Sequence, residues 1–84
     1  MPTVLRFEGF EIRVFVRNEH SPPHVHVFKA GGECRILLGD EDTQPCLWNI
    51  VGGLSDRDAV KAENLVSQYQ AECLAAWRKY HGSL

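Results

Sequence analysis

The stretch that decides the fold is HVHVFKAGGECRIL, residues 24–37. Two runs of alternating character flank a pair of glycines. Val25, Val27, Cys34 and Ile36 are apolar, and Leu38 continues the set. His24, His26, Phe28, Glu33, Arg35 and Leu37 fall between them. A period of two is the signature of a strand with one buried face. A glycine pair between two such runs predicts a two-residue hairpin turn at Gly31-Gly32. In that register Val27 faces Ile36, His26 faces Leu37, and Arg35 lies diagonal to His26. The apolar set forms the core face, and the other set, imidazoles included, lies towards solvent. A one-residue slip would bury charges and expose valines, so the division into faces is well specified.

Working outward, Phe10 to Arg17 alternates in the same way. Phe10, Ile12, Val14 and Val16 form one side and Glu11, Arg13, Phe15 and Arg17 the other. Val4 to Phe7 is a shorter run that Glu8-Gly9 joins to it as a second hairpin. The stretch GDEDTQPCLWNIVGGL, residues 39–54, opens with an acidic loop, and Cys46 to Val51 within it is a fifth strand or an irregular packing segment. Trp48, set in that apolar run, is expected in the core. Ser55, with Asp58 three residues on, is a capping-box variant that starts a helix. Ala62, Val66, Tyr69, Cys73, Ala76 and Tyr80 recur at helical spacing, with Leu65 and Trp77 beside them. Arg78, Lys79 and His81 fill the last turn, and Gly82 is the expected stop. An unbroken helix over 55–81 would be about 39 Å long, and a compact domain of this length is about 30 Å across. The helix therefore breaks near Gln68 to Gln70, or part of it packs outside the sheet, on a partner chain.

The expected architecture is α+β in two layers. A small antiparallel sheet of four to five strands is covered by one long C-terminal helix or a helix pair. Residues 1–84 form a single domain, with strands over 3–39, an irregular segment or short strand over 40–54, and helix over 55–81.

Net charge is −2 and the isoelectric point is near 6.0. That balance argues against a generic basic nucleic-acid binder, although a local basic groove remains compatible with it. Arg6, Arg13 and Arg17 read as a solvated face or a local basic stripe. The cysteines, Cys34, Cys46 and Cys73, are odd in number and lack C-x-x-C spacing, so reduced thiols are expected. Cys34 on the core face is expected as a buried, inert thiol. The first residues, MPTVLRFEG, carry Arg6 and Glu8 and no long apolar run. A cytoplasmic protein without a membrane span is the expectation.

Three of the four histidines lie within NEHSPPHVHV, residues 18–27. His24 and His26 share a strand face, their Cα atoms about 7 Å apart. Three readings fit this cluster. In the first, His24, His26 and His20 are acid–base groups and Arg35 stabilises an anion such as a phosphate, the set that a metal-independent ribonuclease needs. No cofactor is then required. In the second, His20, His24 and His26 are ligands for zinc or another divalent transition metal, with Glu19 as a further ligand or base. The third is plain strand packing in a structural or adaptor domain.

The opening MPTVLRF, the segment NEHSPPHVHV, the glycine-pair hairpin and the closing AAWRKYHG together resemble the DUF4160 family of small bacterial proteins. The resemblance extends over essentially the whole chain, and its specific part is NEH-x-PPHVHV. It places the family's signature histidines on His20, His24 and His26 and its basic hairpin position on Arg35. The family's members are often encoded beside a short protein of the DUF2442 type, an arrangement similar to a toxin–antitoxin pair. The resemblance thus implies a small protein partner from a neighbouring gene, or a homodimer, with RNA as a candidate ligand. The segment GDEDTQPCLWNIVGG departs from the family's pattern.

Overall fold

The computed structural model describes residues 3–16 and 22–82. Five strands precede two helices: β1 Thr3–Phe7, β2 Phe10–Arg13, β3 His24–Lys29, β4 Gly32–Leu37, β5 Cys46–Gly52, α1 Asp56–Gln68 and α2 Gln70–His81. The strands form one antiparallel sheet in sequence order, so every connection is between neighbours. The expected α+β fold is present with five strands, the run from Cys46 being the fifth, and the cover is a helix pair.

The division into faces holds. Ile12, Val14, Val25, Val27, Cys34, Ile36 and Leu38 are fully buried beneath Ala62, Leu65, Val66, Cys73, Leu74 and Trp77. α1 lies over β4 and β5, and α2 reaches across to β1. Two apolar positions depart from expectation. β2 ends at Arg13, and beyond it Val16 is exposed. Tyr80 also lies outside the core stripe, and Leu74 takes the buried position instead.

The central hairpin turns one residue earlier than its glycine pair suggests. Ala30 and Gly31 are the turn residues, at φ 49° and 84°. Lys29 pairs with Gly32, Phe28 with Glu33, Val27 with Cys34 and His26 with Arg35. Positive φ at both central residues is the type I′ requirement, and Ala30 meets it despite its Cβ. The reason lies at Gly32, where a Cβ would stand 2.5 Å from the Gly53 carbonyl oxygen. The glycine at 32 is needed for that close approach to the end of β5, so it belongs to the strand and the turn moves back. The shift preserves which residues share a face, and it brings Arg35 directly opposite His26 rather than diagonal to it.

The helix-length problem is solved within the chain. Ser55 caps α1 by accepting from the Asp58 amide at 3.1 Å. α1 ends at Tyr69, whose ψ of 28° leaves the helical range, and α2 starts at the next residue. Neither glycine nor proline stands at this break. What directs α2 is Gln70, whose Nε2 donates to the carbonyls of Leu38, Asp40 and Thr43 at 2.7, 2.8 and 2.8 Å. One amide side chain thereby ties the new helix to the end of β4 and to the acidic loop. Gly82 stops α2, its amide bonding the Arg78 carbonyl at 2.8 Å. The longest dimension of the described chain is 32 Å, which an unbroken helix would have overrun. Among the described residues, no helix is long and apolar enough to cross a membrane.

Candidate functional site

On the face opposite Val25 and Val27, one cross-strand row runs Thr3, Arg13, His26, Arg35, Asn49, one residue from each strand in order. His26 thus has an arginine as its cross-strand partner on either side. Within β4, the neighbour of Arg35 on the same face is Glu33, whose Oε2 lies 2.8 Å from His26 Nδ1. An ionised carboxylate only accepts. Nδ1 is therefore the nitrogen that donates in this bond. Phe15 stacks on the His26 ring at 4.0 Å with the planes 4° apart.

His24, two residues back on β3, is set in the same sense. Its Nδ1 donates to the Pro22 carbonyl at 3.0 Å, so the Pro22-Pro23 lead-in holds the ring's orientation. The two imidazoles are 5.3 Å apart, centre to centre. His24 is wedged between Trp48 at 5.1 Å and Trp77 at 5.2 Å. Trp77 stacks on His81 at 4.1 Å, and His81 Nε2 donates to the Phe15 carbonyl at 2.6 Å. The rings close a circuit: Phe15, His26, His24, Trp77, His81, and back to Phe15. β3, the end of β2 and the last turns of α2 are joined through the site's own side chains.

The imidazoles lie deeper than the expected solvent-facing histidines. His24 is 2% exposed and His26 7%. The long strand-side aromatics and the end of α2 cover them. Trp48 is corrected in the opposite sense: expected in the core, it is 42% exposed. A β-bulge accounts for it. Arg35 pairs with Asn49 and Ile36 with Leu47, so Trp48 is the extra residue of β5. Leu47 and Ile50 still pack on the core, while Trp48 and Asn49 both join the open face. The Arg35 guanidinium lies over the Trp48 ring, 4.6 Å from its centre, and Arg35 Nε donates to Asn49 Oδ1 at 2.9 Å. That bond uses Nε alone and does not consume the terminal amino groups of the fork.

The second guanidinium is more committed. Arg13 is bonded to Glu11 and lies 4.7 Å from the centre of the Phe28 ring. Glu11 also accepts from the Thr3 hydroxyl at 2.8 Å, and Arg6 stands 3.6 Å away. The hydrogen bond from Arg13, then that from Thr3, pulls the Glu11 carboxyl down to about 2. The expected arginine stripe is thus a local cluster of Arg6 and Arg13 about Glu11. Arg17 lies outside the described residues.

Of the four residues expected to carry chemistry, the fold brings His24, His26 and Arg35 together. His20, the expected third imidazole and third metal ligand, lies outside the described residues, as does Glu19. Among the described residues, no three His, Cys, Asp or Glu side chains are grouped so as to hold a metal ion. Cys34 and Cys73 lie in the core, whereas Cys46 pairs with Leu37, the residue that pairs with His24. Burial pushes Cys34 up to about 11 and Cys73 up to about 12, and Cys46 is exposed.

A family model described as a domain of unknown function (DUF4160) matches residues 9–78. The chain belongs to the DUF4160 family. The matched span contains the row from Arg13 to Asn49, Glu33, Trp48 and Trp77, and stops short of His81. No curated protein and no solved structure matches this DUF4160 chain.

Proposed function

We propose that this DUF4160 chain is the RNA-acting component of a two-gene, toxin–antitoxin-like module in a bacterial cytoplasm, with a small protein from the neighbouring gene as its partner. The observation that carries this reading is His26, held through Nδ1 by Glu33 and set between Arg13 and Arg35. A carboxylate that holds one nitrogen of an imidazole fixes the ring's orientation, the arrangement that recurs in acid–base sites. A guanidinium on the adjacent strand suits the planar recognition of a phosphate.

The chemistry this set can perform is transesterification of a phosphodiester without a metal. The 2′-oxygen bonds to phosphorus as the bond from phosphorus to the 5′-oxygen breaks. One imidazole takes the 2′-hydroxyl proton, the other, in its charged form, gives a proton to the departing 5′-oxygen, and Arg35 stabilises the charge on the phosphoryl oxygens.

The test is cleavage of a labelled single-stranded RNA by purified protein in the presence of a chelator. A product ending in a 2′,3′-cyclic phosphate is expected, with a rate about 10²- to 10⁴-fold lower in His26→Gln or His24→Gln. Wild-type protein that cleaves nothing, or variants that cleave equally, would refute the reading. The same assay separates the metal-based alternative, in which His24, His26 and His20 hold zinc or another divalent transition metal. Activity would then vanish with the chelator and return with the ion.

A further inference from the structure

The open face carries an aromatic side chain that the acid–base set does not use. Trp48 is 42% exposed, and the bulge in β5 is what puts it there. In a regular strand the residue between Leu47 and Asn49 would point away from the face that Asn49 occupies. The extra residue instead sets an indole and an amide side by side, next to Arg35. The indole lies 5.1 Å from His24 and has a guanidinium 4.6 Å from its centre.

We propose that Trp48 and Arg35 form a nucleotide subsite for single-stranded RNA, the base stacking on the exposed part of the indole and its phosphate engaging the guanidinium fork. This rests on the function proposed above and names its substrate class. Three features support it. An exposed ring with a guanidinium over one face matches the two parts of a nucleotide, a flat base for the remaining indole surface and an anionic phosphate for the cation. The open face concentrates Arg6, Arg13 and Arg35 against Glu11 and Glu33, so it is locally basic on a chain of net charge −2. The indole touches His24, so the subsite adjoins the imidazole pair. A duplex does not fit this arrangement, because its bases are already stacked on one another and its edges, not its faces, are presented.

The chain has two tryptophans, and the other, Trp77, is 2% exposed. RNA binding at the indole therefore quenches the wild type, whereas Trp48→Phe and Trp48→Leu keep only the buried Trp77, so affinity is read in all three from the anisotropy of an end-labelled RNA. A mixed-sequence twelve-nucleotide RNA is used with each full-length protein, as a single strand and as a duplex. Circular dichroism checks that each variant is folded. The expected result is quenching by the single strand, with little by the duplex. Affinity should fall by about 5- to 150-fold in Trp48→Leu, the loss of one stacked base, and by less in Trp48→Phe, which keeps a ring. Trp48→Leu binding the single strand as tightly as wild type would overturn the proposal, as would equal quenching by the duplex. Failure of the parent reading looks different: wild type then binds through Trp48 and cleaves nothing, which upholds the subsite and removes the acid–base assignment.

Discussion

Replacing Gly32 with alanine tests the hairpin register, and the site depends on that register. The added Cβ would stand 2.5 Å from the Gly53 oxygen, 2.6 Å from its carbonyl carbon and 2.9 Å from the Leu54 nitrogen. All three are backbone atoms, so the chain must open locally. Overpacking of this kind costs about 1–3 kcal/mol, and the smaller entropy of the unfolded alanine chain returns about 0.4–1 kcal/mol. A net loss of about 1–2 kcal/mol follows, or roughly 4–16 °C in Tm at the 4–8 °C per kcal/mol of a small domain. Gly31→Ala is the control. Its φ of 84° strains an alanine, yet a Cβ there meets nothing within 4 Å. The left-handed penalty of about 1–2 kcal/mol, less the same entropy gain, leaves a loss of about 0.5–1 kcal/mol. Ala30→Gly relieves the strain at φ 49° and should be close to neutral, since strain relief and added chain entropy are of similar size. Thermal and urea unfolding, followed by circular dichroism, rank the three. If Gly32→Ala proves no worse than Gly31→Ala, the turn is centred on the glycine pair, Leu37 rather than Arg35 faces His26, and the arginine–histidine row does not exist.

Two further perturbations probe the rest of the frame. Gln70→Ala removes the donor to three carbonyls and should cost about 1–3 kcal/mol by urea unfolding, at roughly 0.5–1.5 kcal/mol for each of the two hydrogen bonds an amide can donate; a loss below about 0.3 kcal/mol would mean that α2 is directed by packing alone. Glu11 has a folded-state value of about 2 against an ordinary 4.5, so its share of stability is present above pH 4.5 and is lost as pH falls towards 2. Glu11→Gln should therefore lie below wild type near neutral pH and converge with it at the acid end, and parallel pH–stability curves would contradict the Arg13–Glu11 bond.

Sequence alternation was enough to divide the residues between the two faces, because a strand's period is two and valines next to charges leave one sensible burial. Register is a finer quantity. It depended on a contact between Gly32 and Gly53 that joins positions 21 residues apart, and no local pattern reports such a contact. Trp48 was misplaced for a related reason: within CLWNIV it reads as one more apolar residue, and only pairing with β4 reveals the bulge. The signal for His24 and His26 as a pair was plain in HxH. Glu33 was legible as a residue of that same face, but its bond to His26 needed the corrected register. Trp77 and His81 were read as core and as a helix end. Nothing in a helical stripe shows that its last turn reaches the end of β2. The helix break could be expected from length alone, since the domain is smaller than the helix would be. Its position at Tyr69 depends on Gln70 and on the carbonyls that it finds.

The depth of the two imidazoles bears on whether they are there for packing. A valine or leucine could fill a site 2% or 7% exposed without needing partners, whereas a buried imidazole must be matched with hydrogen bonds or it destabilises the fold. This chain meets that need twice. Glu33 is spent on His26 Nδ1, and the Pro22 carbonyl on His24 Nδ1. Both bonds take the same ring nitrogen, Nδ1, and so orient both rings in the same sense. Aromatic planes from Phe15, Trp48 and Trp77 then restrict how the rings can turn. Apolar packing requires none of this agreement between two separate histidines. Acid–base chemistry does require it, because a proton moves only along a fixed direction to a defined nitrogen. The buried pair is held by Glu33, Pro22 and the aromatics, and the half-buried Arg35 and exposed Trp48 stand outside it, on the side where the proposed nucleotide subsite lies.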